Sequence, residues 1–134
     1  MTHHMDSIPP LHDGHLTGLL VKDQEARIFV QTAAGAPFTL ILSGVKRLNV
    51  DGFAEGNIIL DCEVSASTDI ATDILVALNH GGAREEHLEK LRALVASGGY
   101  QLFSIAPSYG AWVVALIKGI TVREGTSVDS DPAV

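Results

Sequence analysis

The run Ala111-Trp112-Val113-Val114-Ala115-Leu116-Ile117 constrains this chain more than any other stretch. It is apolar throughout, does not alternate, and is rich in β-branched and aromatic members. Tyr109-Gly110 precede it and Lys118-Gly119 follow. A short apolar run bounded by turn residues predicts a strand covered on both faces. It is too short to cross a membrane as a helix, and no membrane partner is expected. The expectation is a central strand in a sheet, with the rest of the chain supplying its covers.

The totals allow such a sheet. The 134 residues fit one domain with a single core. Hydrophobic residues make up 46% and charged residues 19%, too apolar a mixture for a disordered chain. The formal net charge is −7. An acidic surface repels phosphate backbones, so nucleic acid is not an expected partner. The same field favours a basic protein and speeds its approach. The single cysteine, Cys62, can form no intrachain disulfide, and no signal-peptide pattern is visible. The expected location is the cytoplasm.

Residues 1–10 read as an extended arm, because Pro9-Pro10 blocks regular hydrogen bonding. His3-His4 is either native or a remnant of an added tag and carries no weight in the fold. Residues 11–124 read as a single α+β domain. His15–Val21, Ala26–Thr32 and Phe38–Ser43 predict three strands joined by short links, hence an antiparallel meander. In the first, Leu16 and Leu20 are expected on one face and Leu19 and Val21 on the other. In the second, Ile28 and Val30 point inward, with Arg27, Gln31 and Phe29 outward. A short strand is expected over Val45–Val50, with Phe53 an anchor in the loop after it. Another strand is expected over Ile58–Ser65, with Ile58, Leu60, Cys62 and Val64 on its apolar face and Ile59, Asp61, Glu63 and Ser65 opposite.

The period then changes. Ser67-Thr68-Asp69 supplies N-cap residue types, and Ile70, Ile74, Leu75 and Leu78 follow at helical spacing, with a strand as the alternative for Ser67–Asn79. Ala83–Ser97 predicts a helix with Leu88, Leu91, Leu94 and Val95 as its apolar stripe and an i,i+4 pair of Glu86 with Lys90. Tyr100–Ala106 predicts a strand that turns at Pro107–Gly110 into the apolar run as its antiparallel partner. Ile120–Arg123 reads as a last edge strand, and residues 125–134 as a solvated tail.

Several constellations merit a chemical reading. His12-Asp13-Gly14-His15 is the densest polar cluster, and His12, Asp13 and His15 could hold a divalent metal. No further ligand motif completes such a set, and Asp13-Gly14 is also an ordinary turn into a strand. Asp61 and Glu63 stand at i and i+2, roughly 7 Å apart by strand rise. Such a pair could do acid–base work in an aromatic-lined cleft, as in a small hydrolase. It could equally be the wet stripe of an antiparallel sheet, and a negative patch that docks a basic partner is its most direct use. Tyr109 is a candidate contact residue, since tyrosines anchor many interfaces. Cys62 points with the apolar face and reads as a small core residue. No G-x-S-x-G elbow and no glycine-rich phosphate loop is present, so no cofactor is expected.

Two segments carry a resemblance. Leu11-His12-Asp13-Gly14-His15-Leu16-Thr17-Gly18, with Leu42-Ser43-Gly44-Val45-Lys46-Arg47-Leu48 and Phe53-Ala54-Glu55-Gly56-Asn57-Ile58-Ile59, resembles small bacterial families of the polymorphic-toxin immunity-protein type. Those families place a short His-Asp turn before a β-meander. The resemblance covers roughly the first half of the chain, implies a β-rich interaction module, and supplies no catalytic set. The fold expected is α+β: a mainly antiparallel sheet of about seven or eight strands, as a sandwich or open barrel, with one or two packed helices. The helix stripe is expected to cover the sheet face carrying Val113, Ala115 and Ile117, or the face opposite. The function expected is a non-enzymatic protein-binding module whose partner is a basic protein or a second copy of itself. The two alternatives are a small-ligand or metal-binding protein at the His12 turn, and a hydrolase using Asp61 and Glu63.

Overall fold

The computed structural model describes residues 8–128. Five strands come first: β1 (His15–Lys22), β2 (Glu25–Gln31), β3 (Pro37–Ser43), β4 (Arg47–Asp51) and β5 (Asn57–Ser65). Helices α1 (Thr72–Leu78) and α2 (Glu85–Ala96) follow, and then β6 (Gln101–Tyr109), β7 (Trp112–Ile117) and β8 (Gly119–Glu124). The strands form one eight-stranded antiparallel sheet in the order β4-β7-β6-β5-β1-β2-β3-β8. This is the α+β, mainly antiparallel architecture expected from the sequence. Most of the expected N-terminal arm, residues 1–7, lies outside the described residues.

The sheet is pinched in its middle. Strands β1 and β5 share only the register pairs His15 with Ile58 and Leu16 with Asn57. On one side of this joint stand β4, β7, β6 and β5; on the other stand β1, β2, β3 and β8. Inward side chains of both halves, among them Ile28, Leu40 and Val122 from one and Ile59, Phe103 and Val113 from the other, form a single cluster. The sheet therefore curls over on itself around one core, with the β1/β5 joint as its narrowest pairing. A second seam lies where β7 passes into β8 through Lys118 alone. There the Lys118 N–H donates to the Ser43 carbonyl at 2.9 Å. Gly44 makes this crossing possible: its φ is +61°, and a Cβ on it would lie 2.6 Å from the Lys118 side chain.

The apolar run is β7, and it is covered on both faces as its composition demands. Val113, Ala115 and Ile117 face the core enclosed by the curled sheet. Val114 and Leu116, with Leu102 of β6, face Leu75 and Leu78 of α1 and Leu88, Leu91 and Val95 of α2. So the helices cover the face opposite to Val113, Ala115 and Ile117. In place it is not central: it is second from the edge, between β4 and β6. The helix layer, not further strands, supplies the second cover that lets so apolar a strand sit near a sheet margin.

Bulges in β1 and β5 change which side chains face inward, and a further register shift between Ile58 and Ile59 leaves Ser108 of β6 without a register partner on β5. In β1, Leu16 pairs with Val30 and Gly18 with Phe29, so Thr17 is the inserted residue; its hydroxyl donates to the Phe29 carbonyl at 3.1 Å. Beyond the bulge Leu19 packs on the core, while Leu20 is exposed, against the simple alternation expected from the sequence. In β5, Ile59 pairs with Pro107 and Asp61 with Ala106, leaving Leu60 as the extra residue. Ile59 is buried in the core and Leu60 is 48% exposed, the reverse of the expected faces. Cys62, Val64, Asp61 and Glu63, which follow the bulge, keep the faces that alternation assigns them.

Other expectations shift locally. Helix α1 begins late, with Ala71 at its N-cap and no side-chain cap. Ser65 and Ser67 instead use their hydroxyls on the Ser67 and Asp69 N–H groups and so hold the preceding turn. In α2, Glu86 pairs with Arg84 at 2.6 Å rather than with Lys90. Strand β6 runs through Pro107 to Tyr109, so the reversal narrows to Gly110-Ala111. Phe53 is 50% exposed and anchors no core.

The first part of the expected solvated tail is not free in solvent. Thr39, fully buried on the outer side of β3, donates through its hydroxyl to the Gly125 carbonyl at 2.8 Å and accepts from the Ser127 N–H at 2.9 Å. Arg27 points outward as expected but is only 4% exposed. Its guanidinium is held by Glu25 at 3.0 Å and by the Ser127 carbonyl and hydroxyl at 3.0 and 2.9 Å. A buried guanidinium needs such partners, and residues 125–127 provide them. Residues 129–134 lie outside the described residues. No helix among the described residues is long and apolar enough to cross a membrane.

Candidate functional site

The His12 turn is built as a strand entry. Asp13 has φ +62°, its N–H donates to the Ile59 carbonyl at 2.9 Å, and the Gly14 N–H donates to Leu11 at 2.7 Å. A Cβ on Gly14 would stand 2.2 Å from the Gln31 carbonyl oxygen, so the close approach of β1 to β2 needs glycine there. The His12 ring donates through Nδ1 to the Leu60 carbonyl at 2.8 Å, and its Nε2 lies 3.5 Å from the Asp13 carboxylate in open solvent. His15 lines a separate cleft of about 700 Å³, with Thr17, Gln31, Phe53, Glu55 and Asn57 among its walls. No group of three His, Cys, Asp or Glu side chains able to hold a metal occurs among the described residues. His12, Asp13 and His15 therefore do not form the metal site considered from the sequence. Their side chains are spent on a turn, a carbonyl cap and a strand position.

The second candidate lies on the outer surface of β5 and the end of β6. Asp61 and Glu63 are both exposed there, on one side of β5. Asp61 accepts from the Cys62 N–H at 2.9 Å, and neither carboxylate forms an ion pair with a described residue. Neither lines the cleft at His15 or the clefts at Ile8/Val64 and at Lys46/His87. Both carboxylates stand on an exposed strand face, whereas glycoside hydrolysis uses a walled cleft.

This surface does have apolar area. The bulge puts Leu60 outside beside Asp61, and Tyr109, paired with Ile58 on the neighbouring strand, is 57% exposed. The result is a patch with two large apolar side chains and two unpaired acids. The sequence pointed to Asp61, Glu63 and Tyr109 but not to Leu60, because strict alternation buried it.

The strand edge adjoining this patch is also open. Among the described residues β1 pairs with β5 only at Asn57 and Ile58, and the His12–Gly14 turn takes up the backbone as far as Leu60. From Asp61 to Ser65 no described strand lies on that side. Cys62, between the two acids, faces the core; burial, then the charges of Asp61 and Glu63, push its thiol up to about 12 from 9.0. Such a thiol stays protonated and is not a nucleophile at neutral pH.

A feature that sequence reading missed lies at the opposite margin of the same half-sheet. Lys46 and Arg47 at the start of β4 meet His87 and Lys90 of α2 around one cleft. The signal was present: Lys46-Arg47 is the chain's one adjacent pair of Lys or Arg, and His87 and Lys90 are three apart on a helix. What the sequence did not give was the pairing of β4 with β7, which brings the two segments together. No family model, no curated protein and no solved structure matches the chain.

Proposed function

We propose that this chain is a non-enzymatic protein-binding module that docks a basic protein through the outer face of β5 and the end of β6. The observation that carries the reading is the exposed set of Leu60, Asp61, Glu63 and Tyr109 beside an open strand edge. Tyr109 and Leu60 supply the apolar centre of a contact, and the unpaired Asp61 and Glu63 its charged rim. The edge from Asp61 to Ser65 offers main-chain groups to an extended segment of the partner. Charge selects the partner. Two copies of this acidic edge would repel one another, whereas a basic segment gains at each carboxylate, and the overall charge of −7 adds a favourable approach field. The resemblance of the first half to immunity-type families suggests an inhibitor that occupies a basic toxin domain, and the lone thiol suits the cytoplasm.

The test is recovery of a partner from the source cells by the tagged protein and by its D61K/E63K variant, at low and at high salt. The reading expects a basic protein bound by the wild type at low salt, released at high salt, and not recovered by the variant. Equal recovery by both proteins, or a wild type that elutes alone at every salt concentration, overturns it.

A further inference from the structure

Three of the nine Lys and Arg residues in this acidic chain converge on one cleft, and among the described residues no Asp or Glu lines it. Lys46, Arg47, His87 and Lys90 form the polar wall, Asn79 closes one end, and Leu91 and Leu94 form the apolar floor. The cleft measures about 430 Å³. It lies between α2 and the chain entering β4, three strands from the docking face on β5.

The local chemistry leaves these cations unspent. Among the described residues the Arg47 Nε is buried without a hydrogen-bond partner, and Nη1 makes a long 3.4 Å contact to the Lys46 carbonyl. The acids of α2 are committed elsewhere: Glu86 to Arg84, and Glu85 and Glu89 to Arg92. The Leu75, Val76 and Ala77 carbonyls near the end of α1 accept from the N–H groups of Asn79, His80 and Gly81. Like charges brought together without a counter-charge repel, and a buried guanidinium donor without a partner is costly. An anion in the cleft offsets the repulsion and offers acceptors to the cations that line it.

We propose that this cleft binds a small phosphomonoester with an apolar body. A phosphate dianion offers three acceptor oxygens, which suits two ammonium groups and a guanidinium better than a single carboxylate does. The His87 imidazole adds a donor at the rim. The volume falls within the range of small-molecule pockets and exceeds what inorganic phosphate fills, and Leu91 and Leu94 give the remainder an apolar surface.

The experiment is an amide NMR titration of the full chain with phenyl phosphate, inorganic phosphate and phenol. Phenyl phosphate should give saturable shifts at Lys46, Arg47, His87 and Lys90, with inorganic phosphate weaker by several-fold and phenol without effect. The K46Q/K90Q variant, which changes two exposed side chains and should leave the fold intact, should lose about tenfold or more in affinity. K22Q, on a distant strand, should not. Three results would overturn the proposal: shifts spread equally over Lys22 and Lys118, no saturation with phenyl phosphate, or unchanged affinity in folded K46Q/K90Q. Equal affinity for phenyl and inorganic phosphate would overturn the assignment of the organic body to Leu91 and Leu94.

Discussion

Replacing Asn57 by alanine should cost this protein more than any other single polar substitution near its joint. Asn57 is 2% exposed and stands where the two halves of the sheet meet. Its Oδ1 accepts from the Ala54 N–H at 2.8 Å and the Ala111 N–H at 3.0 Å. Its Nδ2 donates to the Leu16 carbonyl at 3.1 Å. One side chain thus ties together the loop before β5, the turn before β7, and β1. Alanine leaves three backbone groups without partners, of which those at Ala111 and Leu16 are buried. Each unsatisfied buried group costs about 1–3 kcal/mol, and water reaching the loop at Ala54 lowers its share, so the sum is about 3–5 kcal/mol. Gly110 is shaped around this residue: a Cβ there would lie 2.3 Å from the Asn57 oxygen. No neighbour can move in cheaply to replace the lost amide. Urea unfolding followed by circular dichroism, with equal slopes for wild type and variant, measures the loss. A loss below about 1 kcal/mol would show that water satisfies these groups and that Asn57 does not hold the joint.

Further outcomes follow from the same contacts. T39V keeps the shape of a fully buried side chain but strands the Gly125 carbonyl and the Ser127 N–H; it should cost about 2–3 kcal/mol and speed amide exchange at Ser127. Cys62, whose folded thiol is pushed up to about 12, should resist alkylation at pH 8 in the folded protein and react readily in urea. For pH dependence the sign is set by the unfolded thiol losing its proton first. Between 9.0 and about 12 the folded state holds the extra proton, so stability falls as pH rises, by at most about 1.4 kcal/mol per pH unit. C62A should remove that part of the slope, and an unchanged slope would contradict it.

Much of the architecture was legible because apolar residues report burial directly. The run at Ala111–Ile117, the alternation over Ala26–Thr32 and the stripe at Leu88, Leu91, Leu94 and Val95 each specified an element and its covered face, with Leu94 only partly buried. The two bulges were not legible. Thr17 and Leu60 differ in no local respect from residues that keep alternation, and the insertion is set by register with the neighbouring strand. That is why Ile59 and Leu60 exchanged faces while Asp61, Glu63 and Cys62, one step further on, fell as expected. At the candidate site, the acidic stripe could be read from spacing alone. The exposure of Leu60 and the open edge beside it depend on where β1 leaves β5, which no short-range pattern encodes. Burial of Arg27 likewise depends on a segment 100 residues away in sequence. The structure does not gather the His12, Asp13 and His15 side chains into one group: neighbouring residues in a tight turn fan outward, and no second segment brings ligands back to one point.

Amide hydrogen exchange of the protein with its recovered partner decides whether the outer face of β5 is the docking surface. Binding should slow exchange over Leu60–Ser65 and at the Tyr109 end of β6, with no slowing in the D61K/E63K variant mixed with the same partner. Slowing confined to other strands or to α2, with β5 and β6 unchanged, would contradict it.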